Sequence, residues 1–117
     1  TRPREELRRD FGYGPTDKVI GFLGRFSDEK HPLAVTRSVP TLGPGWHALV
    51  VGSGGLADAL CRSIDNLPYG RHRIMPPVER PGDVLAVMDC MVVPSHFESY
   101  CLSAVEAWLA GVPLVMT

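Results

Sequence analysis

The chain has 117 residues, 44% of them hydrophobic and 21% charged, with a formal net charge of −1 at pH 7. This composition indicates a single folded domain, residues 1–117, that can bury its own core without disulfides or a structural metal. Basic and acidic residues are interspersed, so the sequence lacks the basic stripe that binds nucleic acid. No apolar run approaches the ~20 residues that span a bilayer, and we expect any membrane association to involve only parts of the protein outside this chain.

The cysteines and histidines bear on redox state and metal binding. Cys61, Cys90 and Cys101 are far apart and odd in number, which is typical of reduced thiols in a cytoplasmic protein. The four histidines show neither i, i+4 spacing nor neighbouring cysteines. We therefore predict a cytoplasmic location and no metal site.

Short apolar runs alternate with helix-like segments along the chain. In chain order, the predicted elements are a helix near 1–12, a strand at 19–23, a helix at 32–39 that Pro40 ends, a strand at 46–51, a helix at 56–65, a strand at 71–75, a helix at 81–88, a strand at 90–93, a helix at 100–110 and a strand at 112–116. This alternation predicts an α/β fold with a doubly wound parallel sheet, Rossmann-like, and helices on both faces. The last strand nearly reaches the final residue, so we expect the chain to be part of a longer protein.

The segment after the fourth predicted strand carries the strongest candidate site, because ligands of doubly wound sheets bind beyond the carboxyl ends of the strands. Ser99 is a candidate N-cap for the helix at 100–110. The helix start would then present free backbone amides and its positive dipole end to an anion such as a phosphate. These amides belong to Tyr100, Cys101 and Leu102.

Two glutamates, Glu98 and Glu106, flank this helix start. Glu98 stands beside the predicted phosphate site, where its carboxylate can accept hydrogen bonds from sugar hydroxyls. Glu106 lies ~12 Å further along an ideal helix axis, which matches the reach from a sugar to a ribose. Because the segment 104–110 is otherwise apolar, a buried Glu106 needs a hydrogen-bond donor or a solvent cleft. The alternatives are a Glu106 on the one exposed stripe of the helix and a Glu98 that is simply solvated.

Two basic residues, Arg25 and Lys30, follow the first predicted strand. The guanidinium of Arg25 can bind a diphosphate through two hydrogen bonds, and Lys30 adds a second positive charge to the same ligand. Cations at these oxygens would stabilise the charge that builds on a nucleoside diphosphate as a glycosidic bond breaks. The alternative is that both residues pair with Asp28 and Glu29 on the surface.

A glycine-rich segment, 52–57, follows the second predicted strand and loosely matches the G-x-G-x-x-G/A pattern of phosphate-binding turns. Its glycines Gly52 and Gly54 would let the backbone approach a phosphate. A dinucleotide site also needs an acidic residue about 20 positions on. At that distance the basic segment 71–75 occurs instead, and an arginine there can meet a 2′-phosphate. An NADP-dependent oxidoreductase, a non-catalytic nucleotide-binding module and a merely structural turn therefore stay open as alternatives.

Taken together, five motifs in this order resemble the C-terminal, donor-binding domain of retaining glycosyltransferases with the two-lobed GT-B fold, family-4 type. The motifs are Gly24-Arg25 with Lys30, Val51-Gly52-Ser53-Gly54, Asp89 with Val93-Pro94-Ser95, Glu98 with Glu106-Ala107, and Gly111-Val112-Pro113. The likeness covers nearly the whole chain. Glycine is usual in the family where this chain has Ser99, Cys101, His31 and Pro76.

The resemblance implies transfer of a sugar from a nucleotide sugar, such as a UDP- or GDP-sugar, to an unknown acceptor, with retention of configuration and without a metal or other cofactor. It implies catalytic roles for three residues, of which Arg25 and Lys30 hold the diphosphate and Glu98 contacts the donor sugar. Glu106 would bind the ribose, and the remaining donor contacts would come from Gly24, Gly52, Gly54, Ser99, the amides of Tyr100, Cys101 and Leu102, and the backbone around Ile74 and Met75, which would meet the base. The acceptor site would lie on an absent N-terminal lobe, so we expect no sugar transfer by this chain alone.

Overall fold

A computed structural model describes residues 3–27, 32–67, 70, 72–93 and 114–116, with the backbone alone for Val93 and for Leu114–Met116. These residues contain four helices and five strands. The elements are α1 (Arg4–Asp10), β1 (Lys18–Arg25), α2 (Leu33–Leu42), β2 (Trp46–Ser53), α3 (Ala57–Asp65), β3 (Arg73–Met75), α4 (Pro81–Val87), β4 (Cys90–Val93) and β5 (Leu114–Met116). The helix predicted at 100–110 lies outside the described residues.

The five strands form one parallel sheet in the order β3-β2-β1-β4-β5. The chain runs outward from β1 to β2 and β3, returns to the other side of β1 as β4, and continues to β5. The strand order therefore reverses between β1 and β4, which is the point where sheets of this type bind ligands. The predicted doubly wound α/β fold is confirmed.

Helices cover both faces of the sheet because its inner strands are apolar on both faces. On one face, Leu49 and Val51 of β2 pack with Leu7 of α1 and with Val84 and Leu85 of α4. Val50 points to the other face, since successive side chains of a strand alternate. There it joins a second buried cluster with residues of α2 and α3, namely Val35, Val39 and Leu60. No helix in the described ranges is long and apolar enough to cross a membrane.

The end of α2 differs from the prediction that Pro40 stops the helix. The helix continues through Pro40 to Leu42 and ends at Gly43, whose N–H donates to the carbonyl of Val39 at 3.3 Å. Pro40 is exposed and lies in the last turn. Its missing N–H therefore removes a single intrahelical hydrogen bond close to the helix end. The prediction was wrong because only two helical residues follow Pro40, and the helix tolerates the loss of one bond there.

A charged cluster fixes the amino-terminal edge of the sheet, centred on the carboxylate of Asp89 just before β4. This carboxylate accepts hydrogen bonds from the backbone N–H of Val19 at 2.7 Å, from Arg4 at 2.9 Å and from Arg8 at 3.2 Å. The N–H of Asp89 in turn donates to the carbonyl of Val19 at 2.8 Å. Asp89 therefore joins β1, α1 and the start of β4 at the edge opposite the carboxyl ends of the strands.

Arg8 of α1 is the buried cation of this cluster, with only 8% of its surface exposed. Besides Asp89, its guanidinium donates to the backbone carbonyls of Val87 at 3.0 Å, of Gly14 at 3.3 Å and of Asp17. Val87 ends α4, whereas Gly14 and Asp17 lie in the loop between α1 and β1. One side chain thus ties the loop before β1 to the end of α4.

The pKa of Asp89 gives this cluster a measurable dependence on pH. Burial acts to raise this pKa, but the hydrogen bonds from Val19, Arg4 and Arg8 outweigh it and lower the pKa below the ordinary value of 3.8. The stability contributed by a carboxylate with a lowered pKa is complete above the pKa of the unfolded state and is lost as the pH falls through the folded-state pKa. We therefore expect urea denaturation to give a free energy of unfolding that declines below about pH 4, and less steeply in Asp89→Asn. Asp58→Asn, at an exposed site on α3, should keep the wild-type decline; an equal slope in Asp89→Asn would contradict the assignment.

Candidate functional site

A cleft of ≈ 330 Å³ lies at the carboxyl ends of β1, β2 and β3. It is lined by Leu23, Gly24, Arg25, Val51, Gly52, Ser53, Pro77, Val78 and Pro81. Three of the sequence-predicted donor residues, Gly24, Arg25 and Gly52, therefore come together in one depression of the surface. Its position beyond the carboxyl ends of neighbouring parallel strands is where ligands of doubly wound sheets bind.

The floor of the cleft is built by the ends of β1 and β2. Both strands extend two residues beyond their predicted ends and stay in register, with Gly24 opposite Gly52 and Arg25 opposite Ser53. Beyond the strands, the N–H of Phe26 donates to the carbonyl of Ser53 at 2.9 Å. The N–H of Leu56 then donates to the carbonyl of Phe26 at 3.1 Å. The two connections are thus hydrogen-bonded to each other along the cleft.

The close approach of these two connections explains why glycine occurs at Gly52 and Gly54, the two positions predicted to contact a phosphate. Gly52 has a φ of +151°, and a Cβ at this position would overlap the carbonyl oxygen of Gly24. A Cβ at Gly54 would lie 2.6 Å from the carbonyl oxygen of Phe26. Packing within the chain therefore requires glycine at both positions, and a contact between either one and a ligand stays a prediction.

Arg25 ends β1 with an exposed side chain at the rim of the cleft. Within the part of the chain that the structure describes, its guanidinium makes no hydrogen bond or ion pair. A planar cation with unused donors suits a diphosphate or a carboxylate. Lys30, Asp28 and Glu29 lie outside the described residues, so the alternative of surface pairing is not tested.

The opposite wall of the cleft is apolar and follows β3. It consists of Pro77, Val78 and Pro81, which sequence reasoning did not single out. The side chains of Ile74 and Met75 pack against the two core clusters, one on each face of the sheet, so a ligand at this strand end meets backbone groups and the residues that follow. An apolar pair directly after a short edge strand is the sequence signal that would have indicated this wall.

The remaining predicted site residues lie outside the described residues. These are Lys30, Glu98, Ser99, Tyr100, Cys101, Leu102 and Glu106. Their roles stay predictions. The described end of β4 at Val93 nevertheless brings the chain to the same edge of the sheet as the cleft, because β4 pairs in parallel with β1.

Arg73, the described arginine of the segment considered for a 2′-phosphate, lies at the start of β3. Its guanidinium carbon is 5.3 Å from the centroid of the Phe11 ring, and its Nη1 donates to the carbonyl of Phe11 at 3.4 Å. These contacts hold Arg73 beside the end of α1, at the amino-terminal edge of the sheet. Among the described residues, no group of three or more His, Cys, Asp or Glu is arranged to hold a metal ion.

Comparison with known proteins identifies the family. The family model for glycosyl transferases group 1 matches residues 3–117. The D-inositol 3-phosphate glycosyltransferase of Mycobacterium marinum is 37% identical over 120 residues, which cover 96% of this chain and 26% of that protein. The chain thus spans about a quarter of the length of this curated relative.

Solved structures share the fold. Anabaena HepE, in complex with UDP and glucose, superposes with a TM-score of 0.87 at 23% identity, over 99% of this chain and 34% of that one. The C-terminal domain of the group 1 glycosyl transferase LpcC from Francisella tularensis superposes with a TM-score of 0.72 at 22% identity, over 99% of this chain and 65% of that one. With the family match extending over nearly every residue, the chain belongs to the group 1 family of glycosyl transferases.

Proposed function

We propose that this chain forms the donor half of an enzyme that transfers a sugar from a nucleoside diphosphate to an acceptor, with retention of configuration and without a metal. The observation that carries the proposal is the cleft itself. It places the exposed guanidinium of Arg25 at the carboxyl ends of β1 and β2, opposite an apolar wall after β3.

The two walls of the cleft suit the two chemical halves of a nucleoside diphosphate. The polar wall offers the guanidinium of Arg25 and the hydroxyl of Ser53 to phosphate oxygens. The apolar wall offers Pro77 and Val78 to the flat face of a base. A volume of ≈ 330 Å³ lies at the lower end of the range for small-molecule sites, and we propose that the remaining donor contacts come from the segment around Glu98 and Glu106.

In the proposed reaction, the bond between the anomeric carbon and the terminal phosphate oxygen breaks, and its electron pair stays on that oxygen. Arg25 and Lys30 stabilise the negative charge of this leaving group, which is greater in the transition state than in the bound donor. An acceptor hydroxyl then bonds to the anomeric carbon on the face that the phosphate left, and its proton passes to the departing phosphate oxygen. Glu98 positions the sugar for this step.

The structures of HepE support a nucleotide-sugar donor, because that protein was solved with UDP-glucose and with UDP and glucose. The mycobacterial relative, a D-inositol 3-phosphate glycosyltransferase, supports glycosyl transfer. We propose that the acceptor site belongs to the part of the enzyme beyond the region matched here. The oxidoreductase alternative is not favoured, because Arg73 is held at the edge of the sheet opposite the cleft.

The binding of nucleotides by the 117-residue chain tests this proposal. We expect calorimetric titration to detect UDP or GDP binding, and Arg25→Ala to weaken it at least about tenfold, since hydrogen bonds to a charged group are worth roughly 1.5–3 kcal/mol. Glu106→Ala should weaken binding of the nucleotide through loss of the ribose contact.

Arg37→Ala is the matched control, because Arg37 is an exposed arginine on α2 that does not line the cleft. It should bind as the wild type does, despite the same change in net charge. Equal affinities of Arg25→Ala and Arg37→Ala would contradict the diphosphate site. Binding of NADP in preference to UDP and GDP would overturn the proposed donor.

A further inference from the structure

At the start of β3, the imidazole of His72 accepts a hydrogen bond that a backbone carbonyl would accept in a regular ladder. Its Nδ1 accepts a hydrogen bond from the backbone N–H of Ala48 at 3.0 Å, one residue before the ladder of β2 and β3 begins at Leu49 and Arg73. Ala48 is fully buried. Because a backbone N–H is always a donor, this geometry requires an unprotonated Nδ1.

The ring of His72 is held firmly in this position. A Cβ at Gly70 would overlap the imidazole, so the backbone of Gly70 lies directly against the ring. The ring of His47, on β2, is tilted against it at a centroid distance of 6.1 Å. The imidazole of His72 therefore has the backbone of Gly70 and the ring of His47 as neighbours in this position.

Other titratable and charged groups surround this position on each neighbouring element. From the loop between α1 and β1, Asp17 lies 3.1 Å from Nε2 of His47, and Tyr13 stacks on the other side of that ring at 5.6 Å. Arg73 follows directly on β3, and α3, which packs against β3, ends at the exposed Asp65. A proton on His72 would thus add a positive charge next to Arg73 and to the ring of His47, whose centroid lies 6.1 Å away.

We propose that His72 is a pH-sensitive switch that holds the edge strand β3 to β2 when neutral and releases the start of β3 when protonated. A proton on Nδ1 turns the acceptor into a second donor, so that the buried N–H of Ala48 loses its partner. β3 is three residues long and has a partner strand on one side only, which leaves few bonds to compensate.

The consequence reaches the cleft because β3 carries one of its walls. Met75 ends β3, and the apolar residues Pro77 and Val78 follow after Pro76. Loosening of β3 in acid would move this wall, and the affinity for a nucleotide would fall. This consequence rests on the proposed function, whereas the switch itself does not.

Amide hydrogen exchange of the whole chain, measured by NMR at pH 7.5 and pH 5.5 and corrected for intrinsic rates, tests the switch. Since a solvated imidazole titrates near pH 6.5, opening should be favoured on the order of tenfold at pH 5.5. We expect the protection of Ala48 and Ile74 to fall by up to that factor in the wild type. In His72→Asn, whose Oδ1 can accept the same bond and does not titrate, protection should not change with pH.

His47→Gln is the control, because its side-chain amide nitrogen can still donate to Asp17 while the neighbouring imidazole is removed. It should keep the wild-type dependence on pH. The proposal is wrong if His72→Asn loses protection in acid as the wild type does, or if only His47→Gln abolishes the effect.

Two further measurements make the test complete. If His72→Asn does not fold, the wild type decides, because the proposal requires the protection of Ala48 to fall between pH 7.5 and pH 5.5 while that of Leu23, a β1 amide remote from His72, stays constant; equal losses at both amides would overturn it. Titration with UDP and with GDP at both pH values then tests the cleft. A chain whose exchange follows the expected pattern but which binds neither UDP nor GDP at either pH would refute the proposed function and leave the switch standing.

Discussion

Replacing Gly52 by alanine is expected to lower the free energy of unfolding by roughly 2–4 kcal/mol and to abolish nucleotide binding. The loss has two causes. Alanine is strained at the φ of +151° that Gly52 adopts, and its Cβ would overlap the carbonyl oxygen of Gly24. That oxygen belongs to backbone, which cannot move aside as the end of a side chain can. The ends of β1 and β2 would have to separate, and Arg25 stands opposite Ser53 at that point.

Gly55→Ala is the matched control, three residues further along the same connection. Nothing lies within 4 Å of a Cβ built at Gly55. Urea denaturation should therefore give a stability within about 0.5 kcal/mol of the wild type, and calorimetry an unchanged affinity for UDP or GDP. If Gly52→Ala were as stable as Gly55→Ala, the close packing of the two connections would not exist in solution.

The order of elements could be predicted because buried parallel strands have a distinctive sequence pattern. Runs such as Val19–Leu23 and Ala48–Val51 are apolar throughout, which only strands covered on both faces require. Once these runs alternate with helices, the right-handed crossover leaves few possible topologies. The sheet of the structure follows from that reasoning alone.

The ends of the strands could not be predicted in the same way, and the site lies at those ends. The last two residues of each strand show no apolar pattern. They belong to the strands only because Gly24 pairs with Gly52, and Arg25 with Ser53, in the ladder of β1 and β2. The sequence pattern located these residues near the cleft, but it attributed the glycines to a ligand. The structure shows that the carbonyl of Gly24 already occupies the space beside Gly52.

The apolar wall of the cleft and the role of Asp89 could not be predicted from the sequence either, because both depend on which elements are neighbours in the folded chain. Pro77 and Val78 resemble any loop until β3 is placed beside β2. Asp89 belongs to a family motif that suggests the donor site, yet its carboxylate lies at the opposite edge and binds Arg4 and Arg8. Position in a motif says nothing about which end of a parallel sheet a residue occupies.

The second large loss of stability is expected when Arg8 is replaced, because its charge is buried among the oxygens to which it donates. Replacement by methionine keeps an unbranched apolar stem in place of the aliphatic part of arginine and removes the hydrogen bonds to the carbonyls of Val87, Gly14 and Asp17 and to the carboxylate of Asp89. Breaking a buried ion pair from one side typically costs about 3–5 kcal/mol. We expect Arg8→Met to lie near the lower figure, since Asp89 keeps Arg4 and its side chain is 22% exposed.

The matched control is Arg9→Met, one residue along the same helix, where the side chain is exposed. Thermal and urea denaturation should leave this variant within about 0.5 kcal/mol of the wild type. The pH dependence then separates charge from packing. As the pH falls through the lowered pKa of Asp89 and its carboxylate becomes protonated, the countercharge is no longer needed, and the difference in stability between Arg8→Met and the wild type should narrow. A difference that stays constant down to pH 2 would show that Arg8 acts through its carbonyl partners and its packing alone.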